Sequence, residues 1–278
     1  MRSEAVKEFA FNEGADLIGI ASADRLDNAP LGHKPRDILP KARCVIVLAM
    51  RYLNGSIEAA KIGSTIYPYQ ASCHIWLNHQ LTILSYKVAR FLERRGFLAT
   101  PIPANWPRYW DEPKGIIADL SHKHAAVAAG LGEFGWSGLV LTPQFGPRQR
   151  FISIVTNAPI EPDPVYNGKI CKRCFKCVEV CPVKAISKTE RISIKIEQRR
   201  FEYAVLDKMR CKWCNDGGLI KAAWGMKTIP LPKKIDFESY WKALEQRDPY
   251  QKNHSTAWGS TTPFCGRCLM HCPAGEKV

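Results

Sequence analysis

Apolar residues recur at helical spacing in the first half of the chain. Between residues 73 and 95 they fall three or four positions apart, at Leu77, Leu81, Leu84, Val88 and Phe91. This spacing places them on one face of a helix, and Gly96 follows as a natural helix stop. The pattern predicts a long helix whose apolar face packs into the core.

Shorter apolar runs predict buried strands on both sides of this helix. They occupy residues 16–21, 44–50 and 151–156, and their length and apolar character favour strands. Further helices are predicted over residues 2–13 and from Ser121, as N-cap, to Gly130. Helices and strands that alternate in this way indicate an α/β class for the first part of the chain.

The chain has 278 residues and is 46% hydrophobic, which is enough for one sizeable domain and a smaller one. We expect the first domain over residues 1–165 and a cysteine-rich module over residues 166–278. Within the second part, residues 182–264 form a large insertion between two cysteine motifs. Helices are predicted there over 197–203 and 237–246, with a basic loop over 227–234.

The cysteine motif at the start of the second part is the most specific signal in the sequence. Pro182 is preceded by a C-x2-C-x2-C-x3-C run formed by Cys171, Cys174, Cys177 and Cys181. This is the bacterial ferredoxin spacing for a [4Fe-4S] cluster, and its fourth cysteine binds a different cluster. The run therefore predicts two clusters and an electron-transfer role.

A second run near the C-terminus provides the matching ligands. It has a C-x2-C-x3-C-P spacing and contains Cys265, Cys268 and Cys272, while Thr262 stands where a fourth cysteine would align. By the crossed-ligand rule, the first cluster takes Cys171, Cys174, Cys177 and Cys272. The second takes Cys181, Cys265, Cys268 and either Cys211 or Cys214.

Zinc and disulfides explain these cysteines less well. Zinc sites use paired C-x2-C motifs, and eleven cysteines is an odd number in a chain with no apolar signal region at its start. We therefore expect a reducing, cytoplasmic setting. Cys44 lies in an apolar run and is predicted to be a buried structural thiol, and nothing in the sequence marks Cys73, beside His74, as reactive.

The formal net charge of +14 is concentrated in the second part. Residues 166–278 carry 22 Lys and Arg against 11 Asp and Glu, whereas residues 1–165 carry 18 against 15. Two clusters of about −2 each offset about four positive charges. The surplus fits docking of an acidic electron donor such as a ferredoxin or flavodoxin, contact with nucleic-acid phosphate, or an ordinary solvated face.

No apolar run approaches the roughly 20 residues that span a bilayer, so we expect no membrane partner. Two loops could contribute to a binding pocket. Gly130, Gly132, Gly135 and Gly138 form a turn that permits close approach of a flat ligand, without the order of a dinucleotide fingerprint. Residues 101–113 form a proline-stiffened loop with three aromatic residues, which is either a pocket wall or a self-packed surface loop.

Six segments occur in a fixed order: residues 14–21, 38–47, the turn 129–132, the four-cysteine run, residues 206–211 and the final cysteine run. Together they resemble the epoxyqueuosine reductase family, which is related to the reductive dehalogenases. The likeness covers about residues 10–275, and the cysteine motifs are its most specific part.

The resemblance implies a nitroreductase-like α/β domain over residues 1–165 that holds cobalamin or another corrinoid. It also implies a ferredoxin-like module over residues 166–278 that feeds electrons to the cobalt, with Cys211 rather than Cys214 as the last cluster ligand. The corrinoid would lie against the glycine turn, where Trp136 covers a ring edge. The residues expected to contact it are Gly130, Leu131, Gly132, Gly135, Trp136 and Ser137.

The sequence also departs from that family. Its members carry a proton-donating aspartate before the Gly-Leu-Gly turn, where Ile116 aligns here. Asp119 and His122 are the nearest groups that could donate a proton; alternatively, Asp119 caps the helix and the histidine is exposed. Those enzymes continue into helical repeats that grip tRNA, whereas this sequence ends six residues after Cys272, so a tRNA substrate is not expected.

The sequence leaves more than one function open. The first is a reductase in which two clusters relay electrons to a corrinoid that reduces a small organic substrate. The second is an electron-transfer protein that reduces a separate corrinoid enzyme or another partner and has no substrate of its own. A nucleic-acid-binding role rests only on the basic second part of the chain.

Overall fold

The structure is a computed structural model that describes residues 1–62, 66–104, 109–111, 115–215, 230–233, 235–246 and 265–275. Half of the predicted basic loop 227–234, namely 227–229 and 234, lies outside these residues. The same is true of Trp106 in the proline-stiffened loop, so that loop's role as a pocket wall stays a prediction.

Ten strands are present in the described residues. They are β1 (Leu17–Ser22), β2 (Cys44–Arg51), β3 (Ala99–Ile102), β4 (Tyr109–Asp111), β5 (Gly115–Ile117), β6 (Glu133–Phe134), β7 (Val140–Leu141), β8 (Gln149–Thr156), β9 (Ile186–Ile196) and β10 (Arg199–Leu206).

The α-helices in the same residues vary from single turns to a helix of 18 residues. They are α1 (Ser3–Asn12), α2 (Pro35–Ile38), α3 (Asn54–Ile62), α4 (Tyr67–Gln70), α5 (Trp76–Glu93), α6 (His122–Ala128), α7 (Lys176–Glu179), α8 (Lys208–Asn215), α9 (Phe237–Glu245) and α10 (Arg267–Met270).

The centre of the first part is a four-stranded sheet in the order β1-β2-β8-β3. All three strand pairs in it are antiparallel. The three runs predicted as strands supply β1, β2 and β8, so these predictions are confirmed. The fold is a mixture of helices and strands, as expected from the sequence.

Side chains alternate between the two faces of this sheet because successive residues of a strand point in opposite directions. Ile20, Ile46 and Ile154 pack on one face with the apolar side of α5. Val47 and Val155 pack on the other face with α6. Both faces are covered, which explains why the strand sequences are almost continuously apolar.

The long predicted helix is present, but it begins differently from the prediction. α5 starts at Trp76, and Ala71–Ile75 forms a π-helical turn directly before it. Within this turn, Cys73 and His74 are buried. A π-turn is wider than an α-turn and is common at functional sites, so the departure directs attention to these two residues.

The prediction of a helix over residues 197–203 is wrong. These residues turn at Glu197, which has a φ of 52°, and continue into β10, which pairs with β9 as a hairpin. The physical reason is the alternation Ile192, Ile194 and Ile196 in β9, which has the period of a strand. The hairpin packs Ile196 and Phe201 against the α6 side of the sheet. The helix predicted over residues 237–246 is confirmed as α9.

No helix in the described ranges combines the length and the apolar character needed to cross a membrane.

Gly132 offers a test of the packing after α6. A Cβ at this position would overlap the carbonyl oxygen of Leu141 in β7, which is backbone and cannot move away cheaply. Gly132→Ala should therefore lower the free energy of unfolding by about 1–3 kcal/mol. Gly55→Ala is the control, because a Cβ at Gly55 in α3 meets no atom within 4 Å. Anaerobic guanidinium unfolding measures both, and equal stability of the two variants would contradict the packing described here.

Candidate functional site

The C-terminal segment, residues 265–275, is fixed against the first part of the chain. Leu269 and Met270 of α10 are buried in the α5-side core. Arg148 donates hydrogen bonds from Nη1 to the Cys272 carbonyl oxygen at 3.0 Å and from Nη2 to the Ala274 carbonyl oxygen at 2.7 Å. Gly146 lies directly against Ala274, where a Cβ would overlap the backbone. These contacts bring the second cysteine run to the first.

Four thiols meet where the two runs come together. We call Cys171, Cys174, Cys177 and Cys272 the first cysteine group. Burial, together with the neighbouring Cys171, Cys272 and Cys174, raises the pKa of the Cys177 thiol to about 11. Burial also raises the pKa of Cys272, and Cys171 and Cys174 contribute to that rise. Cys272 therefore lies beside cysteines about a hundred positions earlier in the chain.

A second set of thiols adjoins the first. The second cysteine group consists of Cys181, Cys211, Cys214, Cys265 and Cys268. Burial raises the pKa of Cys268, and Cys265, Cys211 and Cys181 add to the rise, followed by Cys177 of the first group. The Cys214 thiol donates a hydrogen bond to Cys265, which lowers the pKa of Cys265 and raises that of Cys214. Because both Cys211 and Cys214 are in this group, the choice between them as a ligand stays a prediction.

The loop through the first cysteine group has an unusual backbone. Arg173 and Phe175 both adopt left-handed conformations, with φ of 50° and 58°, on either side of Cys174. Alternation of this kind turns successive N–H groups toward one concave side, a feature of many iron–sulfur sites. The Trp136 N–H also donates to Cys171 Sγ at 3.4 Å, and the Ala185 N–H to Cys181 Sγ at 3.3 Å.

The chemistry of these donors fits iron–sulfur clusters, since thiolates are the usual ligands of [4Fe-4S] cores and the two groups supply four and five of them. A four-iron core carries positive iron, which would offset the repulsion among several buried thiolates.

Two residues that the sequence did not single out support the first cysteine loop. The Glu133 carboxylate accepts hydrogen bonds from the N–H groups of Ile170 at 2.5 Å and Cys171 at 2.7 Å. Arg199 lies 3.7 Å from the same carboxylate. Glu133 is buried, so its charge is offset by these donors and by the arginine. A single glutamate in a glycine-rich turn gives no indication in the sequence that it binds the cysteine loop.

The glycine turn after α6 packs closely against other segments of the same chain. A Cβ on Gly130 would overlap the Pro164 carbonyl oxygen, and one on Gly135 would press on the Leu141 side chain. Leu131 packs against Gly19 of β1 in the same way. The close approach that these glycines permit is thus made to backbone and side chains of the protein, while the expected contact with a corrinoid stays a prediction. Ser137 is half-buried beyond the turn.

Trp136 lies beside the first cysteine group. Its indole N–H donates to the Ser187 carbonyl oxygen at 2.9 Å, and its ring packs edge-on to Phe175 at 5.5 Å between centroids. Only 5% of the residue is exposed. The expectation that Trp136 covers a corrinoid edge stays a prediction.

Lys123, at the start of α6, lies near the second cysteine group. Desolvation by the surrounding protein lowers its pKa, while Cys211 and Cys268 act in the opposite direction. Both cysteines belong to the second group, so the positive charge of Lys123 lies beside that group.

His122 is held by hydrogen bonds at both ring nitrogens. Nε2 lies 3.0 Å from the Pro103 carbonyl oxygen, which only accepts, so Nε2 carries the proton and Nδ1 accepts from Ser153 Oγ at 2.9 Å. Burial, with a smaller contribution from the Arg150 charge, lowers the pKa of His122 to about 4. A neutral imidazole with both nitrogens engaged is a poor proton donor at neutral pH. This arrangement disfavours the predicted catalytic role of His122.

Asp119 is not the N-cap of α6. Ser121 caps α6, since its Oγ accepts from the His124 N–H at 3.5 Å. The Asp119 carbonyl oxygen lies 3.3 Å from His33 Nδ1, and the residue is half-buried. Its role as a proton donor stays a prediction.

A buried polar cluster that the sequence did not reveal lies beside the second cysteine group. Arg150 Nη1 donates to His74 Nδ1 at 2.7 Å, and Tyr52 and Tyr69 pack against the imidazole. Burial, followed by the Arg150 charge, lowers the pKa of His74 well below its usual value. The neutral ring therefore carries its proton on Nε2, which has no hydrogen-bond partner within the described residues. Burial raises the pKa of both tyrosines, and the neighbouring Cys73 and Cys268 add smaller contributions.

No model of a known protein family matches the chain. Its sequence is 37% identical over 182 residues to a tetrachloroethene reductive dehalogenase of Desulfitobacterium hafniense, covering 63% of this chain and 28% of that protein. It is 23% identical over 205 residues to an epoxyqueuosine reductase of Bacillus subtilis (strain 168), covering 66% of this chain and 51% of that protein. The chain thus spans only part of the length of these relatives.

Solved structures of both kinds share the fold. A reductive dehalogenase structure associated with B12-dependent dehalogenation aligns with a TM-score of 0.58 at 21% identity, over 90% of this chain and 34% of that one. An epoxyqueuosine reductase from Bacillus subtilis aligns with a TM-score of 0.53 at 19% identity, over 96% of this chain and 80% of that one. The chain is therefore related to reductive dehalogenases and to epoxyqueuosine reductases, and the resemblance found in the sequence is confirmed.

The bonds of His122 predict a dependence of stability on pH. Its pKa is about 4 in the folded chain and about 6.5 in an unfolded one, so the stabilisation is complete above pH 6.5 and is lost as the pH falls toward 4. The free energy of unfolding should fall by up to about 3 kcal/mol over this range from His122 alone. His122→Gln keeps one donor and one acceptor but does not titrate, and should show a shallower decline in guanidinium unfolding. Identical slopes would show that His122 is not held neutral.

Proposed function

We propose that this relative of the reductive dehalogenases and epoxyqueuosine reductases is an oxidoreductase that passes single electrons through two [4Fe-4S] clusters to a bound corrinoid, for the reduction of a small organic substrate. The observation that carries the proposal is the meeting of two distant cysteine runs, with Cys272 beside Cys171 and Cys174. Crossed ligation of this kind is characteristic of two-cluster ferredoxin modules.

The first cluster would be held by Cys171, Cys174, Cys177 and Cys272. The second would be held by Cys181, Cys265, Cys268 and Cys211. The proposal for Cys211 rests on the resemblance and on its electrostatic contact with Cys268. The contact of Cys177 with Cys268 supports two clusters that adjoin, as an electron relay requires.

The division into a nitroreductase-like domain over residues 1–165 and a ferredoxin-like module over 166–278 is part of the same proposal. The four-stranded sheet lies entirely within the first range, and the two cysteine groups lie within the second. Glu133 and Trp136 of the first range contact Cys171 of the second. Such contacts would fix the position of the clusters relative to the first range.

We place the corrinoid in a recess beside Lys123 and the second cysteine group, which Lys123 adjoins through Cys211 and Cys268. A bound corrinoid supplies a cobalt that accepts single electrons and reacts with the substrate. The chain contributes a positive charge at Lys123 and a neutral His74 whose Nε2–H has no hydrogen-bond partner in the described residues. Arg150 fixes this tautomer by donating to Nδ1, so His74 is ready to donate a hydrogen bond to a bound polar group.

An electron-transfer protein without its own substrate is the second candidate. The observation that favours it is the electrostatic contact of Cys177 with Cys268, because two adjoining clusters can pass electrons without a substrate site. Such a protein would hold the clusters and pass electrons to a separate corrinoid enzyme. The two candidates share the clusters and differ in corrinoid binding.

Corrinoid binding therefore tests the function. The chain is reconstituted anaerobically with iron and sulfide, incubated with hydroxocobalamin, and separated by gel filtration for cobalt and iron analysis. We expect about one cobalt per chain alongside about eight irons. Lys123→Trp should fill the recess and reduce cobalt without changing iron, whereas Lys41→Trp, at another exposed site, should change neither. Full iron content with no retained cobalt would favour the electron-transfer protein.

The crossed ligands are tested by removing one of them. Cys272→Ser should lower the iron content from about eight to about four per chain, because it removes a ligand of the first cluster only. Cys44→Ser is the control, since Cys44 is buried outside both groups and donates to the Ile160 carbonyl oxygen, as a serine also can. Iron analysis and electron paramagnetic resonance measure the outcome. An unchanged iron content in Cys272→Ser would refute the crossed assignment, and the same analysis of Cys211→Ser and Cys214→Ser would identify the remaining ligand.

A further inference from the structure

The surface around Cys174 differs from the rest of the two cysteine groups. Of the eleven cysteines, Cys174 alone is exposed, and the others are buried or half-buried. Electrons enter an iron–sulfur relay most readily where a ligand sulfur is accessible to the donor. If the first cluster is present as proposed, its accessible edge is at Cys174.

Positive charges surround this edge. Lys172, Arg173 and Lys176 are exposed on the loop that carries Cys174, and Lys188 and Arg200 are exposed on the hairpin beside it. Residues 166–215 contain 13 Lys and Arg against five Asp and Glu. This excess is larger than the charge of about −2 that one cluster would add, so the positive charges do more than offset the cluster.

Most of these charges are available to a partner. Glu202 is bound by Arg173 at 2.6 Å and by Arg191 at 3.2 Å, while Glu179 and Glu190 are the other acids exposed near this surface. Lys172, Lys176, Lys188 and Arg200 form no ion pair with a carboxylate in the described part of the chain. They remain free to bind acidic side chains of another protein.

A groove runs beside the same edge. It has a volume of about 440 Å³ and reaches Cys171, and its charged lining consists of Lys169, Arg173, Arg199, Arg200, Glu133 and Glu202. The lining has four positive charges against two negative ones, and Glu133 is already engaged by the Ile170 and Cys171 N–H groups. The groove can therefore accept protruding carboxylates next to the first cysteine group.

We infer that this surface, formed by Lys172, Lys176, Lys188, Arg200 and the groove, is the docking site of an acidic one-electron carrier protein. The inference rests on the proposed clusters and locates their electron entry at Cys174. In each encounter the carrier is oxidised by one electron and the first cluster is reduced by one, with no other bond made or broken. Charge complementarity would speed this encounter by roughly 10- to 1000-fold and make it sensitive to salt.

Stopped-flow reduction of the reconstituted chain tests the site. The donor is a reduced acidic plant-type ferredoxin, and bleaching of the cluster absorption gives the rate. Lys172→Glu/Lys176→Glu should slow reduction about tenfold or more at low ionic strength, and the difference should shrink as salt is added. The control is Arg90→Glu/Arg94→Glu, which makes the same charge change at exposed positions near the end of α5, on the opposite face of the sheet.

A second variant, on the hairpin, distinguishes a loss of surface charge from damage to the cysteine loop. Lys188→Glu/Arg200→Glu changes the hairpin side of the surface and should also slow reduction by ferredoxin. The methyl viologen radical, a small cation that needs no acidic docking face, should not be slowed by any of the variants. Equal ferredoxin rates in the wild type and both surface variants, with normal viologen reduction, would overturn the docking site alone. A wild-type chain that binds no iron would overturn the proposed function and this inference with it.

Discussion

The contact between the C-terminal segment and Gly146 and Arg148 determines the rest of the site. Without it, Cys265, Cys268 and Cys272 would have no fixed position relative to Cys171–Cys181, because the intervening chain is long. Gly146 has no side chain at the point where Ala274 crosses, and Arg148 satisfies two carbonyl oxygens of the same segment. Gly146 and Arg148, just before β8, therefore determine whether the two cysteine runs come together.

The antiparallel sheet connects the contact at Arg148 to the His74 cluster and to His122. β8 carries Arg150 and Ser153 two and five residues beyond Arg148, so one strand positions the C-terminal segment, the His74 cluster and His122. A strand with both edges paired is rigid, and side chains on it keep their spacing. This explains how thiols from one part of the chain and histidines from another come to lie together without a shared sequence motif.

The sequence predicted the parts of the structure that leave local patterns. The apolar face of α5, the strands β1, β2 and β8, and the cysteine spacings all follow from residues close together in the chain. Glu133, Arg148 and Arg150 were missed because each acts on a segment distant in sequence, and one charged residue in isolation predicts no partner. The β9–β10 hairpin was missed for a different reason, since its polar outer face conceals the alternation of its isoleucines.

The two cysteine groups differ in their surroundings, and in the proposed relay this difference would give electron flow a direction. The first group has an exposed sulfur at Cys174 and lies under exposed positive charge, which suits contact with a negatively charged protein. The second group lies near Lys123 and near the buried Tyr52 and Tyr69. Burial excludes water and strengthens charge interactions. The proposed relay would thus separate an accessible entry from an enclosed site of chemistry, and Cys177 and Cys268 would span the short distance between them.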